Sequence, residues 1–211
     1  MKTPTLSPDH LSVLTSIVGA EHVSVTNADR EQHARDQSFH PPHPPAVVVW
    51  PASAEEISAV LKYANRHGIP VTPWGAGTSL EGNPVPVQGG IVLDTHRMDR
   101  ILEVRSDDFQ VDVEPGVKYK DMNTSLARRG LFFAPDPGAN ASLGGMIANN
   151  AAGTRTPKYG ATKDNVLRLE VVTPTGEIIH TGSRAVKTSS GYDKETVYPR
   201  TKEAGFARDV S

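Results

Sequence analysis

The sequence predicts a mixed fold of helices and strands, α/β or α+β, rather than a helical bundle. Two observations carry this. Of 211 residues, 18 are Gly and 17 are Pro while only 37% are apolar, a composition suited to many loops. Residues 46–72 also read as a strand, a helix and a second strand in succession.

Along the chain, Ser7–Val18 spells a first helix. Ser7 can cap it, and Leu11, Leu14 and Val18 recur at helical spacing. The stretch "FHPPHPP" (39–45) follows, and its prolines favour an extended connector. His40 and His43 invite a metal reading, but no acidic ligand lies at convincing spacing, and two exposed histidines on a stiff connector is the simpler account. "AVVVW" (46–50) reads as a buried strand ended by Pro51. Residues 53–68 form the clearest helix. Ser53 and Glu56 make an S-x-x-E capping box, Ile57, Val60, Leu61 and Ala64 share a face, and Gly68 ends it. "IPVT" (69–72) gives a second strand, parallel to the first through a right-handed crossover. Strands follow at Ile91–Leu93 and within "FQVDVEPG" (109–116). A helix over 117–130 places Met122 and Leu126 on one face and stops at Gly130. Residues 166–182 read as a hairpin turning near Thr175–Gly176.

Two stretches carry chemistry. "PWGAGTSLEG" (73–82) emerges from the end of the second strand. Gly75 and Gly77 satisfy half of a G-x-G-x-x-G dinucleotide fingerprint, but Leu80 stands at the third glycine position and Pro84 and Pro86 forbid a following helix. Asp94, 19 residues beyond Gly75, is therefore a coincidental match to a ribose ligand. No Gly-Lys-Ser/Thr follows, which excludes a P-loop. What remains is a phosphate-cradling loop whose backbone N–H groups can form an anion-binding concavity, with Thr78 and Ser79 as further donors; a plain Gly-rich surface loop is the alternative. In the second stretch, "PDPGANASLGGMIANNAAG" (135–153), Ser142 can cap a helix of small residues. A flat ligand could lie against it, with the helix N-terminus facing an anionic edge, although tight helix–sheet packing also demands small residues. Two such surfaces in one chain point to a large dinucleotide.

These two stretches, followed by "KYGATKDNV" (158–166), resemble the FAD-binding domain of FAD-linked 2-hydroxyacid oxidoreductases. That family holds the D-lactate dehydrogenase (cytochrome) and glycolate oxidase flavin-subunit types, within the vanillyl-alcohol-oxidase/PCMH superfamily. The resemblance covers roughly Asp36 to Asp193. It implies an α+β, PCMH-type FAD-binding domain of two lobes with FAD extended between them: a helix and linker over 1–40, one lobe over 41–116, and a second, incomplete lobe over 117–193. By analogy Gly75, Ala76, Gly77, Thr78 and Ser79 would hold the pyrophosphate, with Trp74 and Gly82 shaping the loop. Pro135, Asp136, Ser142, Gly144, Gly145, Asn149, Ala152 and Gly153 would lie along the flavin and its ribityl-phosphate arm, and Tyr159, Gly160, Asp164 and Val166 would complete the pocket. Asp164 has a simpler reading as the cap of a turn, and Tyr159 as ordinary core.

The activity implied is oxidation of a D-2-hydroxy acid, D-lactate or glycolate, with electrons passed to a cytochrome or quinone-type acceptor. After "KTSSGYD" the family continues into a glycine motif, whereas this chain reads "KETVYPRTKEAGFARDVS" (194–211). No histidine-containing substrate motif is present, so no catalytic residue is named. The chain is thus expected to be the N-terminal portion of a longer enzyme, through truncation, frameshift or splitting. Two alternatives stand: a non-catalytic FAD-binding fragment, or another oxidoreductase on the same scaffold, such as a sugar-alcohol or aldonolactone oxidase or a UDP-N-acetylenolpyruvoylglucosamine reductase. "SLEG" and "GGMIANNAAG" favour the lactate/glycolate branch.

Charge and targeting exclude other classes. A formal charge of −2 without a basic run argues against nucleic-acid binding. The absence of cysteine excludes disulfides and thiolate metal sites. The N-terminus lacks a signal-peptide core, and no apolar run approaches the ~20 residues of a membrane span. A soluble, cytoplasmic protein is expected, with peripheral membrane contact through a partner left open.

Overall fold

A computed structural model describes residues 6–184 and the backbone of 206–207. The end of the motif at 187–193, the expected lobe end at 193 and most of the 194–211 tail lie outside the described residues.

The fold is α+β. A four-stranded sheet has the order β1 (Val23–Ser24), β2 (Val47–Val49), β4 (Ile91–Asp94), β3 (Val71–Trp74). β2 and β3 both run parallel to β4, with Val48 and Thr72 both opposite Val92, and β1 closes the β2 edge antiparallel. The strand–helix–strand unit is therefore parallel, but β4 lies between its two strands. β4 is buried at all four positions, which is why Ile91–Leu93 read as a short apolar run before Asp94.

Helix α1 (Pro8–Val18) starts at Ser7, whose hydroxyl accepts from His10 N–H. After β1 comes the short α2 (Asn27–Gln32), which the sequence did not announce: "NADREQ" has no apolar stripe, and the signal was a cap, Thr26 accepting from Asp29 N–H. Helix α3 (Ala54–His67) buries Ile57, Val60, Leu61 and Ala64 as its spacing predicts. Ser53 Oγ accepts from Glu56 N–H, while the Glu56 carboxylate reaches back one residue further, to Ala52 N–H at 2.7 Å. Gly68, at φ +62°, ends the helix in the left-handed conformation.

A hairpin joins β5 (Ile101–Arg105) to β6 (Gln110–Val113). β5 was not foreseen, because a register irregularity between Ile101 and Glu103 breaks the alternation that marks a strand. Next come α4 (Tyr119–Ala127), which buries Met122 and Leu126, then α5 (Leu143–Ala148) and α6 (Thr156–Tyr159). β7 (Arg168–Val172) and β8 (Ile178–Gly182) form the expected hairpin, and β9 (Phe206–Ala207) pairs on the other side of β7. The hairpin turn rests on α3: Ser58 Oγ donates to Gly176 O at 2.5 Å.

Two apolar clusters result. One gathers Leu14 and Val18 of α1, the buried face of α3, Val47, Val49, Ile91, Leu93 and Met98. The other gathers Val113, Met122, Leu126, Leu143, Met146, Leu169 and Val171, with Ile101, Val104 and Val111 packed against it.

Candidate functional site

The glycine loop leaves β3 at Trp74, which is buried beside Val48, Val92 and Trp50. Beneath it the His33 ring lies 4.8 Å from the Trp74 ring, and His33 Nε2 is 2.9 Å from Asp94 Oδ2. Trp50 Nε1–H donates to the same Asp94 oxygen at 3.0 Å. Asp94 is thus committed to bonds within the protein.

Gly77 takes φ +64°, and a Cβ there would sit 2.6 Å from Trp74 Cζ2. Among the described residues, the N–H groups of Ala76, Gly77 and Thr78 donate to no protein acceptor. Ser79 differs: its hydroxyl donates to Asn83 Oδ1 at 2.8 Å and accepts from Glu81 N–H at 3.1 Å, so it is spent inside the loop. Gly82, at φ +77°, donates its N–H to Asp36 Oδ2 at 2.8 Å.

The second stretch meets the first at one point. A Cβ on Gly75 would collide with Ser142 Oγ, and a Cβ on Gly145 would lie 3.1 Å from the same atom. Ser142 holds N-cap backbone angles before α5, yet its hydroxyl caps no helix N–H. The expectation of an open helix N-terminus needs correction. Leu143 N–H donates to Val117 O and Gly144 N–H to Pro115 O, both at 2.8 Å. Carbonyls from the segment after β6 consume those donors, and Gly144 is needed because a Cβ would stand 2.8 Å from Pro115 Cβ.

The remaining predicted residues fall into three groups. Gly153 lies flat on the backbone of Asp136, where a Cβ would strike the carbonyl oxygen, and Pro135 is buried beside it. Asp136 accepts from Tyr119 O–H at 2.7 Å and from Gly138 N–H at 3.1 Å, and these two bonds hold its carboxyl below the usual range. Burial first, then the hydrogen bond to Asp136 and its charge, push the Tyr119 hydroxyl up to about 12. Asn149 donates to Gly145 O at 3.0 Å and, like Ala152, is exposed. In the last group, Asp164 Oδ2 accepts from Ala161 N–H at 2.8 Å, the turn-capping role its simpler reading gave it, and Gly160 at φ +80° gives that carboxylate room. Val166 packs against the second cluster. Tyr159 is no core residue: it is 40% exposed, edge-on to Phe132 at 5.6 Å. It lines an open cavity of about 520 Å³ with Asn123, Leu131 and Arg155, which contains none of the other predicted residues.

Sequence reasoning missed Asp36 and Tyr119. Neither belongs to a motif, and the bonds that tie them to the predicted stretches, to Gly82 and to Asp136, span 46 and 17 residues of chain. Among the described residues no group of three His, Cys, Asp or Glu side chains is placed to hold a metal. His40 instead stacks near Phe39 and packs on Gly82.

The uncommitted N–H groups at 76–78, and a loop that admits no Cβ at Gly75 or Gly77, fit the pyrophosphate of a dinucleotide. Residues 45–182 match the family described as FAD binding domain. The chain is 45% identical over 191 residues to a zebrafish (Danio rerio) protein named probable D-lactate dehydrogenase, mitochondrial, covering 89% of this chain and 38% of that one. It is 42% identical to the Arabidopsis thaliana D-lactate dehydrogenase [cytochrome], mitochondrial, over 78% of this chain and 30% of the relative. It is 36% identical to the Bacillus subtilis glycolate oxidase subunit GlcD, over 89% of this chain and 40% of the relative. The chain thus spans well under half the length of these curated relatives. Among solved structures, an alkyldihydroxyacetonephosphate synthase superposes with a TM-score of 0.85 at 20% identity, over 100% of this chain and 41% of its own. A p-cresol methylhydroxylase superposes with a TM-score of 0.80 at 23% identity, over 96% of this chain and 42% of its own. These two show the fold, the PCMH type. The chain belongs to the FAD-binding domain family, in the branch of FAD-dependent oxidoreductases related to D-lactate dehydrogenase and glycolate oxidase.

Proposed function

We propose that this chain is the FAD-binding portion of an enzyme that oxidises a D-2-hydroxy acid, D-lactate or glycolate. The observation that carries the reading is the meeting of the glycine loop with α5 at Gly75 and Ser142, beside N–H groups left free for an anion. In this reading the N–H groups of Ala76, Gly77 and Thr78 bind the pyrophosphate, and Thr78 Oγ1 adds a donor. The small residues from Ser142 to Gly153, with Pro135, Asp136, Gly160 and Val166, border the rest of the cofactor. We read the two apolar clusters as two lobes. The packing of Ile101, Val104, Val111 and Val113 in the second cluster favours a boundary just after Met98 over one at 116.

The reaction removes the Cα hydrogen with its electron pair and the hydroxyl proton, leaving a 2-oxo acid. Bound FAD supplies the two-electron acceptor. The electrons then leave to a cytochrome or quinone-type carrier. The identity to relatives named D-lactate dehydrogenase supports the substrate class. Because the chain spans 38% of the zebrafish relative, we assign it no catalytic residue. Among the described residues no helix is long and apolar enough to cross a membrane. We propose that the protein meets its acceptor at a membrane surface; two relatives carry mitochondrial names.

The test is a visible spectrum of the purified chain with FAD, followed by anaerobic addition of D-lactate, glycolate and L-lactate. Saturable flavin binding is the result the reading requires, and bound flavin that no hydroxy acid bleaches shows a binding unit that turns over only with further sequence. Bleaching by D-lactate or glycolate supports the substrate class and shows that this portion suffices for the reaction. Bleaching by L-lactate alone, or no bound flavin, contradicts the reading.

A further inference from the structure

Glycine gives the 75–82 loop its path, and also freedom that must be lost when a ligand is bound. The structure restrains the loop at its C-terminal half. Asp36, 7% exposed, accepts from Gly82 N–H at 2.8 Å and from Ser38 N–H at 2.9 Å. Gln37 N–H donates to Ser79 O at 3.0 Å. His40 packs on Gly82 so closely that a Cβ there would lie 2.5 Å from His40 Cδ2. Residues 36–40 thus clasp residues 79–82, while the N–H groups at 76–78 stay uncommitted among the described residues. Burial alone would raise the Asp36 carboxyl, but the hydrogen bonds it accepts from Ser38 and Gly82 outweigh it and hold it below the usual range. The two N–H groups that Asp36 accepts from belong to its own loop, at Ser38, and to the glycine loop, at Gly82.

We propose that Asp36 is a positioning residue for FAD: its carboxylate locks the far half of the glycine loop, so that the Ala76–Thr78 N–H groups face the pyrophosphate before it arrives. This rests on the FAD-binding reading. A loop ordered only part of the time would bind with an affinity reduced by that fraction. Asparagine cannot replace the aspartate, because its one amide oxygen cannot serve both N–H groups and its NH₂ would face a donor.

The test compares the full wild-type chain with Asp36→Asn and Asp36→Ala. Glu56→Gln is the control, since Glu56 ties a backbone N–H at the start of α3, away from the loop. Two quantities are measured: amide hydrogen exchange of the FAD-free chain, and FAD affinity by flavin fluorescence. Both Asp36 variants should speed exchange across 79–82 while β4 stays protected. FAD affinity should fall about tenfold or more, the effect of a lost hydrogen bond to a charged group. Glu56→Gln should change neither. The proposal is overturned if loop exchange is unchanged, or if it quickens while FAD affinity stays within about twofold of wild type. Loss of β4 protection in Asp36→Asn would show a general structural role and overturn it too. A wild-type chain that binds no FAD sinks the FAD reading itself, whereas equal binding by wild type and Asp36→Asn sinks only the positioning role.

Discussion

Gly75 and Gly77 require glycine for different physical reasons, and the difference can be measured. Gly77 sits at φ +64°, so Gly77→Ala adds left-handed strain of about 1–2 kcal/mol to a clash with the Trp74 ring. Denaturant unfolding should show that loss whether or not FAD is present. Gly75 has no such φ; its Cβ would meet Ser142 Oγ. Gly75→Ala should therefore be rescued in part by Ser142→Ala, which removes the colliding atom. A double-mutant cycle in stability should give a coupling well outside additivity, about 0.5 kcal/mol or more; strict additivity would mean the two stretches do not touch. The Tyr119 hydroxyl makes a third residue-scale prediction. Its folded value of about 12 exceeds its ordinary 10.0, so the folded state holds the proton more tightly than the unfolded chain. The stabilisation is fully present below pH 10 and is lost as pH rises toward 12. Tyr119→Phe should flatten the alkaline fall in stability over that window. Much of this site was legible because glycine is its own signal: a bare backbone shows directly in the sequence. The roles of Ser79 and of the α5 N-terminus were not. Their donors are claimed by Asn83 and by the Pro115 and Val117 carbonyls, and a polar group's partner cannot be read from its residue type.

At the scale of elements, α3 was the most legible part of the fold. Its cap, its apolar stripe and its terminal Gly68 all specify the same helix. Ile57, 1% exposed, is central to the first cluster, and Ile57→Ala should cost about 2–5 kcal/mol in equilibrium unfolding. A cost near zero would mean that α3 does not pack on the sheet as described. The elements that escaped were those with weak periodicity. α2 is six residues, all polar but Ala28, held by the Thr26 cap, and β5 has an irregular register. The insertion of β4 between β2 and β3 was also beyond a local reading, because strand order depends on pairings between distant segments. These elements still set the site: β3 delivers the glycine loop, and the segment after β6 receives α5 through Pro115 and Val117.

For the molecule as a whole, cofactor and fold are linked. A ligand that binds only the folded chain stabilises it by about 2.7 kcal/mol at a hundredfold excess over its Kd, so FAD should raise the melting temperature in a concentration-dependent way. In the proposed reading the glycine loop recognises a pyrophosphate, not merely a flavin ring. The most direct test is an equilibrium titration of the cofactor-free chain with FAD and, separately, with riboflavin, which carries no phosphate. Saturable FAD binding, with riboflavin weaker by about tenfold or more, is the predicted result. Equal affinity for the two, or no saturable binding of FAD, would contradict the account.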